Sequence, residues 1–301
     1  MEQAKTKKSA LTAIIGRPSV GKSTFLNAAT GEKVSIVSPV PQTTRNAVRG
    51  MVNTPQGQLV FIDTPGYHES EKKFNLKLQA LVRSQLEDID LTLYMMDASR
   101  PCGAEEELTA ALAAPLRNKL VIAVNKLDLC PRFVPGASLA DCVPAHITAF
   151  ISSHFGDPVR VIPLSAENNL GVQEVVDALF DLAPEGDPYY PEEYYTDQEV
   201  DFRIAEVIRE QAINRLHAEI PHAVYVEIAD MERRGEGKTL WVRAFLWVET
   251  ESQKGIVIGK GASLIKTIRV ESIKALRKIF PYRVDLDLQV KVRKNWRQKV
   301  E

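Results

Sequence analysis

The eight residues Gly16-Arg17-Pro18-Ser19-Val20-Gly21-Lys22-Ser23 constrain this chain more than any other stretch. The apolar run Ala13-Ile14-Ile15 before them reads as a short buried strand. Thr24 to Ala29 after them reads as a helix closed by Gly31. Strand, glycine loop of the form G-x-x-x-x-G-K-[ST] and helix together make a phosphate cradle. Gly16 and Gly21 let the backbone curl so that successive N–H groups point inward, and the helix N-terminus adds its positive end. Lys22 places a cation between the β- and γ-phosphates, and the Ser23 hydroxyl is a ligand for Mg²⁺. The expected nucleotide contacts here are Gly16, Arg17, Pro18, Ser19, Val20, Gly21, Lys22, Ser23 and Thr24.

Downstream, Lys33 to Arg45 carries two prolines and a polar tail, Pro41-Gln42-Thr43-Thr44-Arg45, and reads as a loop. A hydroxyl from such a loop completes a Mg²⁺ site only when the γ-phosphate is present, which makes the loop a switch. Thr44 is the favoured ligand and Thr43 the second choice. Asn46 to Val52 and Leu59 to Asp63 flank a hairpin signal, and the second strand delivers Asp63-Thr64-Pro65-Gly66. Asp63 at the end of a buried strand holds Mg²⁺ through water, and the Gly66 N–H senses the γ-phosphate. Lys22, Thr44, Asp63 and Gly66 are thus the expected catalytic set. Thr64 and Pro65 are counted with the nucleotide contacts.

A helix is expected from Lys73 to Glu87, a buried strand from Leu91 to Asp97, a helix from Leu108 to Leu116 and a strand from Lys119 to Val124. That last strand ends in Asn125-Lys126-Leu127-Asp128. The Asp128 carboxylate can accept from both N1–H and N2–H₂ of guanine, whereas adenine offers neither donor. Asn125 ties this loop to the phosphate loop, and the Lys126 stem packs over the base. After the strand Val159 to Leu164, Ser165-Ala166-Glu167 supplies a backbone N–H, that of Ala166, for the guanine carbonyl; Gly171 to Leu182 is the closing helix. Strands alternating with helices predict a mostly parallel α/β sheet with helices on both faces and ligands at the strands' carboxyl ends.

The formal net charge of −1 hides an asymmetry. Residues 1–200 hold 18 Lys+Arg against 25 Asp+Glu, a balance of −7; residues 201–301 hold 20 against 14, a balance of +6. Nucleic acid is the partner such a basic half suggests, and a solvated helix face is the alternative. The three cysteines have no C-x-x-C spacing and read as reduced thiols in a cytosolic protein. No apolar run reaches the length of a membrane span, and the N-terminal lysines read as a short disordered arm rather than a signal peptide.

Residues 184–199, rich in proline, acids and tyrosine, form the expected linker between a domain at 1–183 and another at 200–301. Its four tyrosines either fasten it to a domain or stack on bases. Beyond it the expected order is a helix from Val200 to His217, strands at Ala223 to Met231 and Thr239 to Glu249, two helices around a glycine turn, and a strand from Arg283 to Val292. This α-β-β-α-α-β order resembles the type II KH family of RNA-binding domains. The turn is Gly259-Lys260-Gly261-Ala262 where that family has G-x-x-G. Ala262 falls where the helix begins, so little harm from the missing glycine is expected. Ile256, Ile258, Leu264 and Ile268 are expected to line a groove for bases. A plain glycine cap between two helices is the alternative. The expected RNA contacts are Lys254, Ile258, Gly259, Lys260, Gly261, Ala262, Lys266, Arg293 and Lys294.

Taken in order, the motifs resemble those of the Era family of bacterial ribosome-assembly GTPases, from Gly16-to-Ser23 through Pro41-to-Arg45, Asp63-to-Gly66, Asn125-to-Asp128, Ser165-Ala166 and Ile258-to-Gly261 to Val290-to-Arg297. The resemblance implies a GTPase domain followed by a type II KH domain, using GTP/GDP and Mg²⁺. It further implies binding of the 3′ end of small-subunit ribosomal RNA, a role in assembling the small ribosomal subunit, and a cytoplasmic chain partly held at the inner face of the cell membrane. A monomer is expected when the chain is free. Two departures stand out. Ser19 replaces an asparagine that helps hold an activating potassium ion in related GTPases, so potassium stimulation is in doubt. Tyr67 follows Gly66 where a glutamine could orient water; His68 is either its substitute or a bystander, and slow intrinsic hydrolysis is expected. Two rival readings are a GTPase of tRNA modification or membrane-surface signalling, and a nucleotide-sensing RNA-binding module with little hydrolysis.

Overall fold

The computed structural model describes residues 7–38, 40, 47–63, 89–134, 138–156 and 159–294. Thr43, Thr44, Thr64, Pro65, Gly66, Tyr67, His68, the helix expected at 73–87 and the terminal 295–297 stretch lie outside the described residues. The chain divides into two compact units: 1–35 with 41–197, and 36–40 with 198–301.

The first unit is built on β1 (Lys8–Gly16), β2 (Val48–Thr54), β3 (Gly57–Asp63), β4 (Leu91–Asp97), β5 (Leu120–Asn125) and β6 (Arg160–Pro163). Their order is β2-β3-β1-β4-β5-β6, with β2 antiparallel to β3 and every other pairing parallel. Every residue of β3, β4 and β5 is buried, so both faces of the sheet are covered, as parallel strands require. Tyr94, Met96, Ile122 and Val124 share a cluster with Ala110 and Ala113 of α2 (Ala104–Ala113) and with Ile147, Phe150, Ile151 and Phe155 of α3 (Ala145–Phe155). The two methionines of β4 are core filling, as their place in an apolar run indicates.

The helix after the phosphate loop, α1 (Lys22–Thr30), is bounded by left-handed glycines, Gly21 at φ 104° and Gly31 at φ 70°. Phe25 sets its ring edge-on to Phe61 of β3, with centroids 5.6 Å apart. Burying a phenylalanine of this kind contributes about 1.5–3 kcal/mol to seating α1 on the sheet. The closing helix, α4 (Val172–Leu182), buries Val172, Val175, Val176, Leu179 and Phe180 behind Gly171 at φ 79°.

Three expectations need correction here. The strand before the loop begins at Lys8, so the basic arm is shorter than expected: Lys8 pairs with Gly57, and its Nζ donates to the Phe180 carbonyl at 2.6 Å. The helix expected from Leu108 starts earlier, at Ala104, where Glu105, Glu106 and Glu107 sit favourably at a helix N-terminus; it gives way before Pro115, which lacks an N–H to continue it, to a 3₁₀ turn. Helix α3 was not anticipated, although Ile147, Phe150, Ile151 and Phe155 recur at helical spacing after Pro144.

The described part of the linker is fastened to the first unit. Gln58 Nε2 donates to the Tyr190 carbonyl at 2.9 Å and Gln58 Oε1 accepts from the Tyr190 N–H at 3.0 Å. Met51 N–H donates to the Tyr195 carbonyl at 3.0 Å, Asn53 Nδ2 to that of Glu192 at 2.9 Å, and the Tyr189 hydroxyl to Asp90 at 3.1 Å. The segment lies along β2, the edge strand, and occupies polar backbone that would otherwise invite another strand.

In the second unit α5 (Val200–Ile213) and a short α6 (Ile220–Ala223) precede β7 (Tyr225–Arg234) and β8 (Thr239–Val248). There follow α7 (Glu251–Ile258), α8 (Ser263–Ile279) and β9 (Arg283–Val292). β7 pairs antiparallel with β8, and β8 parallel with β9. Alternate residues of β8, Leu240, Val242, Ala244, Leu246 and Val248, enter a core with Ile204, Ile208, Val257, Ile268 and Leu276. Ile268 is therefore a core residue and not part of a base groove, because the inner face of α8 must be apolar to seat on the sheet; Ile256 is exposed and Ile258 and Leu264 are half-buried. Residues Ile36–Val40 count with this unit: the Val37 N–H donates to Glu210 Oε1 at 2.7 Å.

Candidate functional site

The phosphate loop runs from the end of β1 into α1, and its glycines are dictated by close approach. A Cβ on Gly16 would lie 2.6 Å from the Met95 carbonyl oxygen, and one on Gly21 would lie 2.4 Å from Asn125 Nδ2. Neither position has room for a side chain. Ser19 takes left-handed φ 59°, a conformation asparagine adopts more readily than serine.

Lys22 is buried, and its Nζ donates to the carbonyls of Gly16 and Arg17, each at 3.1 Å. Burial lowers its pKa to about 8, opposed by the carboxylates of Asp63 and Glu106. Ser23 Oγ donates to Asp63 Oδ2 at 2.7 Å, and Ser35 Oγ donates to the same oxygen at 2.9 Å. Among the described residues, the buried Asp63 Oδ1 has no hydrogen-bond partner. Burial pushes the Asp63 carboxyl up, against the pull of Lys22, Ser23 and Ser35. A buried carboxylate with one oxygen unsatisfied beside a serine hydroxyl is a hard-oxygen donor set, and it fits a divalent cation of the Mg²⁺ kind. Ser35 was missed from the sequence. Asn27 of α1 places it, accepting from the N–H groups of Val34 and Ser35 at 2.9 and 2.8 Å and donating to the Ser35 carbonyl at 2.8 Å.

The Asn125-to-Asp128 loop leaves the end of β5 beside this cradle. Asn125 Nδ2 donates to the Val20 carbonyl at 2.8 Å, which realises the expected tie to the phosphate loop. Asn125 Oδ1 accepts from the Ala166 N–H at 2.9 Å. A buried amide oxygen needs a donor, and the Ala166 N–H, the one expected to meet the guanine carbonyl, supplies it here. Asp128 is half-buried, and its Oδ1 accepts from Ser165 Oγ at 2.5 Å, which steers the carboxylate. Lys126 takes left-handed φ 64°, and its Nζ donates to Asp97 Oδ2 at 2.9 Å.

Asp97 was also missed. It ends β4 in register with Asn125 at the end of β5, and that shared position at a strand terminus was the signal available. Besides Lys126 it holds Arg100, whose Nε lies 2.9 Å from Oδ2, and Arg100 Nη2 donates to the Pro18 carbonyl at 3.3 Å. The described motif residues thus gather at the carboxyl ends of β1, β3, β5 and β6. This is where an open parallel sheet binds its ligand.

Two family descriptions match the chain, "50S ribosome-binding GTPase" over residues 11–126 and "KH domain" over residues 219–297. GTPase Era of Treponema denticola is 56% identical over 291 residues, covering 97% of this chain and 96% of the relative. The chain belongs to the Era family of GTPases. GTPase Era of Borreliella afzelii is 40% identical over 292 residues and covers 97% of both chains. Aquifex aeolicus Era bound to GDP.AlF4- superimposes with a TM-score of 0.88 at 32% identity, covering 97% of this chain and 96% of that one. A crystal structure of Era in complex with MgGDPNP and nucleotides 1506-1542 of 16S ribosomal RNA gives the same TM-score, identity and coverage. The order α5, β7, β8, α7, α8, β9 is the KH order expected of the second unit.

The Era-family KH turn is strained here. Gly259 has φ 73° and ψ 168°, a region open essentially to glycine alone, and its N–H caps α7 on the Gly255 carbonyl at 3.0 Å. Gly261 has φ 61° and Ala262 φ 60°, both left-handed. Ala262 is thus not the comfortable first residue of a helix. It is the left-handed residue before α8, where a Cβ costs about 1–2 kcal/mol. The turn presents Lys260 and Gly261 to solvent, flanked by half-buried Lys254 and Ile258 on α7 and exposed Lys266 on α8. Lys294 is exposed. Arg293 is engaged on the sheet, its guanidinium over the Trp247 ring at 4.2 Å and 3.5 Å from Glu227. Among the described residues no helix is long and apolar enough to cross a membrane.

Proposed function

We propose that this GTPase is a GTP-driven switch that binds the 3′ end of small-subunit ribosomal RNA and assists assembly of the small ribosomal subunit. The observation that carries the reading is Asn125. One side chain joins the phosphate loop at Val20 to the Ala166 turn, and so fixes Asp128 at the far end of a cradle built for phosphates. A carboxylate there selects a base that offers two adjacent donors, which is guanine. Lys22 binds the β- and γ-phosphates. Ser23, Asp63 and, in the GTP state, Thr44 would hold Mg²⁺. When bound, the ion neutralises charge that develops on the phosphates. Thr44 and Gly66 sense the γ-phosphate, and the ordering of their loops sets RNA affinity.

RNA is taken up at the α7–α8 turn through Lys254, Ile258, Gly259, Lys260, Gly261, Ala262 and Lys266, with Arg293 and Lys294 contributing charge. In this reading residues 1–183 are the GTPase domain, 184–199 a linker and 200–301 the RNA-binding domain. The free chain is a monomer in the cytoplasm, with a fraction held peripherally at the membrane's inner face; flotation with anionic vesicles tests that fraction. Single-turnover GTP hydrolysis, with Asp63→Asn as control, tests the enzymatic half. A slow rate that vanishes in the variant is expected, and nucleotide binding without turnover would contradict it.

A further inference from the structure

The nucleotide site leaves one buried charge cluster unexplained. Arg17 belongs to the phosphate loop, yet its side chain turns away from the cradle and is buried. Its Nε lies 2.6 Å from Glu106 Oε2, and its Nη1 donates to the Pro101 carbonyl at 3.1 Å. Glu106 lies on α2 and is fully buried. Its Oε1 accepts from the Tyr94 hydroxyl at 2.5 Å, and Tyr94 is itself fully buried in β4.

A buried ion pair is a poor source of stability, since an apolar pair of the same size often does as well or better. What this one does is fix a backbone. The Arg17 carbonyl is one of the two that hold Lys22 Nζ, and the carbonyl of the next residue, Pro18, is held by Arg100. The loop is therefore anchored at two adjacent residues: Arg17 by its own side chain on Glu106 of α2, and Pro18 through Arg100 on Asp97 of β4.

We propose that Glu106, oriented by Tyr94, is a positioning residue for GTP: through Arg17 it holds the phosphate loop in its binding shape. The inference rests on the reading of the loop as a nucleotide site. Release of a fluorescent GDP from the full chain tests it by stopped flow, with melting temperature measured alongside. Glu106→Gln should release GDP about 10–100-fold faster, the scale of a misplaced positioning group. The paired Arg17→Met/Glu106→Met variant removes both charges. It should recover the wild-type melting temperature while GDP release stays at least about tenfold fast. A pair that recovers both the melting temperature and wild-type release would overturn the proposal, as would wild-type release in Glu106→Gln. Should the pair not fold, Tyr94→Phe decides: faster release supports the role and unchanged release refutes it. If the wild-type chain binds no GDP, the nucleotide-site reading fails instead.

Discussion

Asn125 Nδ2 donates to the Val20 carbonyl across 2.8 Å, and this bond joins the base-reading loop to the phosphate loop. Removing it as Asn125→Ala would leave two buried groups unpaired, the Val20 carbonyl and the Ala166 N–H. Each costs about 1–3 kcal/mol. About 1.4–4 kcal/mol of that cost should be expressed in binding, so GTP affinity should fall about 10–1,000-fold by calorimetry, at about 1.4 kcal/mol per decade. A loss under twofold would show that the two loops hold their places independently.

Base choice rests on the charge of Asp128. Asp128→Asn replaces an acceptor pair with an amide that can donate to the 2-keto group of xanthine. Competition binding should show GTP weakened and xanthosine triphosphate strengthened, a crossover in preference. Ser165 Oγ can still donate to the amide oxygen, so the loop geometry survives. Unchanged GTP affinity would contradict the base assignment.

Ala262 carries a left-handed strain that glycine would relieve. The expected gain for Ala262→Gly is about 0.5–1 kcal/mol, the relief of about 1–2 kcal/mol reduced by the greater freedom of glycine in the unfolded chain. Thermal melting of the second unit should move up by a few degrees. A lower melting temperature would mean that the methyl group makes contacts worth more than its strain.

His154 predicts a pH dependence of the first unit. Burial works against its charge, but the Phe150 carbonyl at 2.9 Å from Nδ1 and Glu107 at 2.7 Å from Nε2 outweigh it and raise its pKa. A raised folded-state pKa stabilises fully below the unfolded value near 6.5, and the contribution is lost as pH rises through the folded value. The pair is partly exposed, so about 0.2–1 kcal/mol is at stake. The melting difference between wild type and His154→Gln should be positive at pH 6 and shrink towards pH 9. A difference that is constant with pH would exclude this role.

Much of the site was legible because its chemistry is local. Gly16-to-Ser23 and Asn125-to-Asp128 each follow an apolar strand, so periodicity placed them at strand ends. Ser35, Asp97 and Glu106 were not legible, since their roles come from partners distant in the chain: Asp63, Lys126 and Arg17. Ala262 was misread because its backbone angle is set by the two preceding residues of the turn. Ile268 was misassigned because groove and core residues share one helix and one apolar character, and only burial in the core of the second unit separates them. Helix α3 escaped notice for a different reason: its stripe at Ile147, Phe150, Ile151 and Phe155 lies between polar segments that carry no motif.

The central claim is that the nucleotide's state controls the grip on RNA. Fluorescence anisotropy of the 3′-terminal segment of small-subunit ribosomal RNA, titrated with the full chain at fixed salt, measures this directly. The account predicts binding at least about fivefold tighter with a non-hydrolysable GTP analogue than with GDP, within the usual range for coupled sites. Equal affinity in the two states would contradict it.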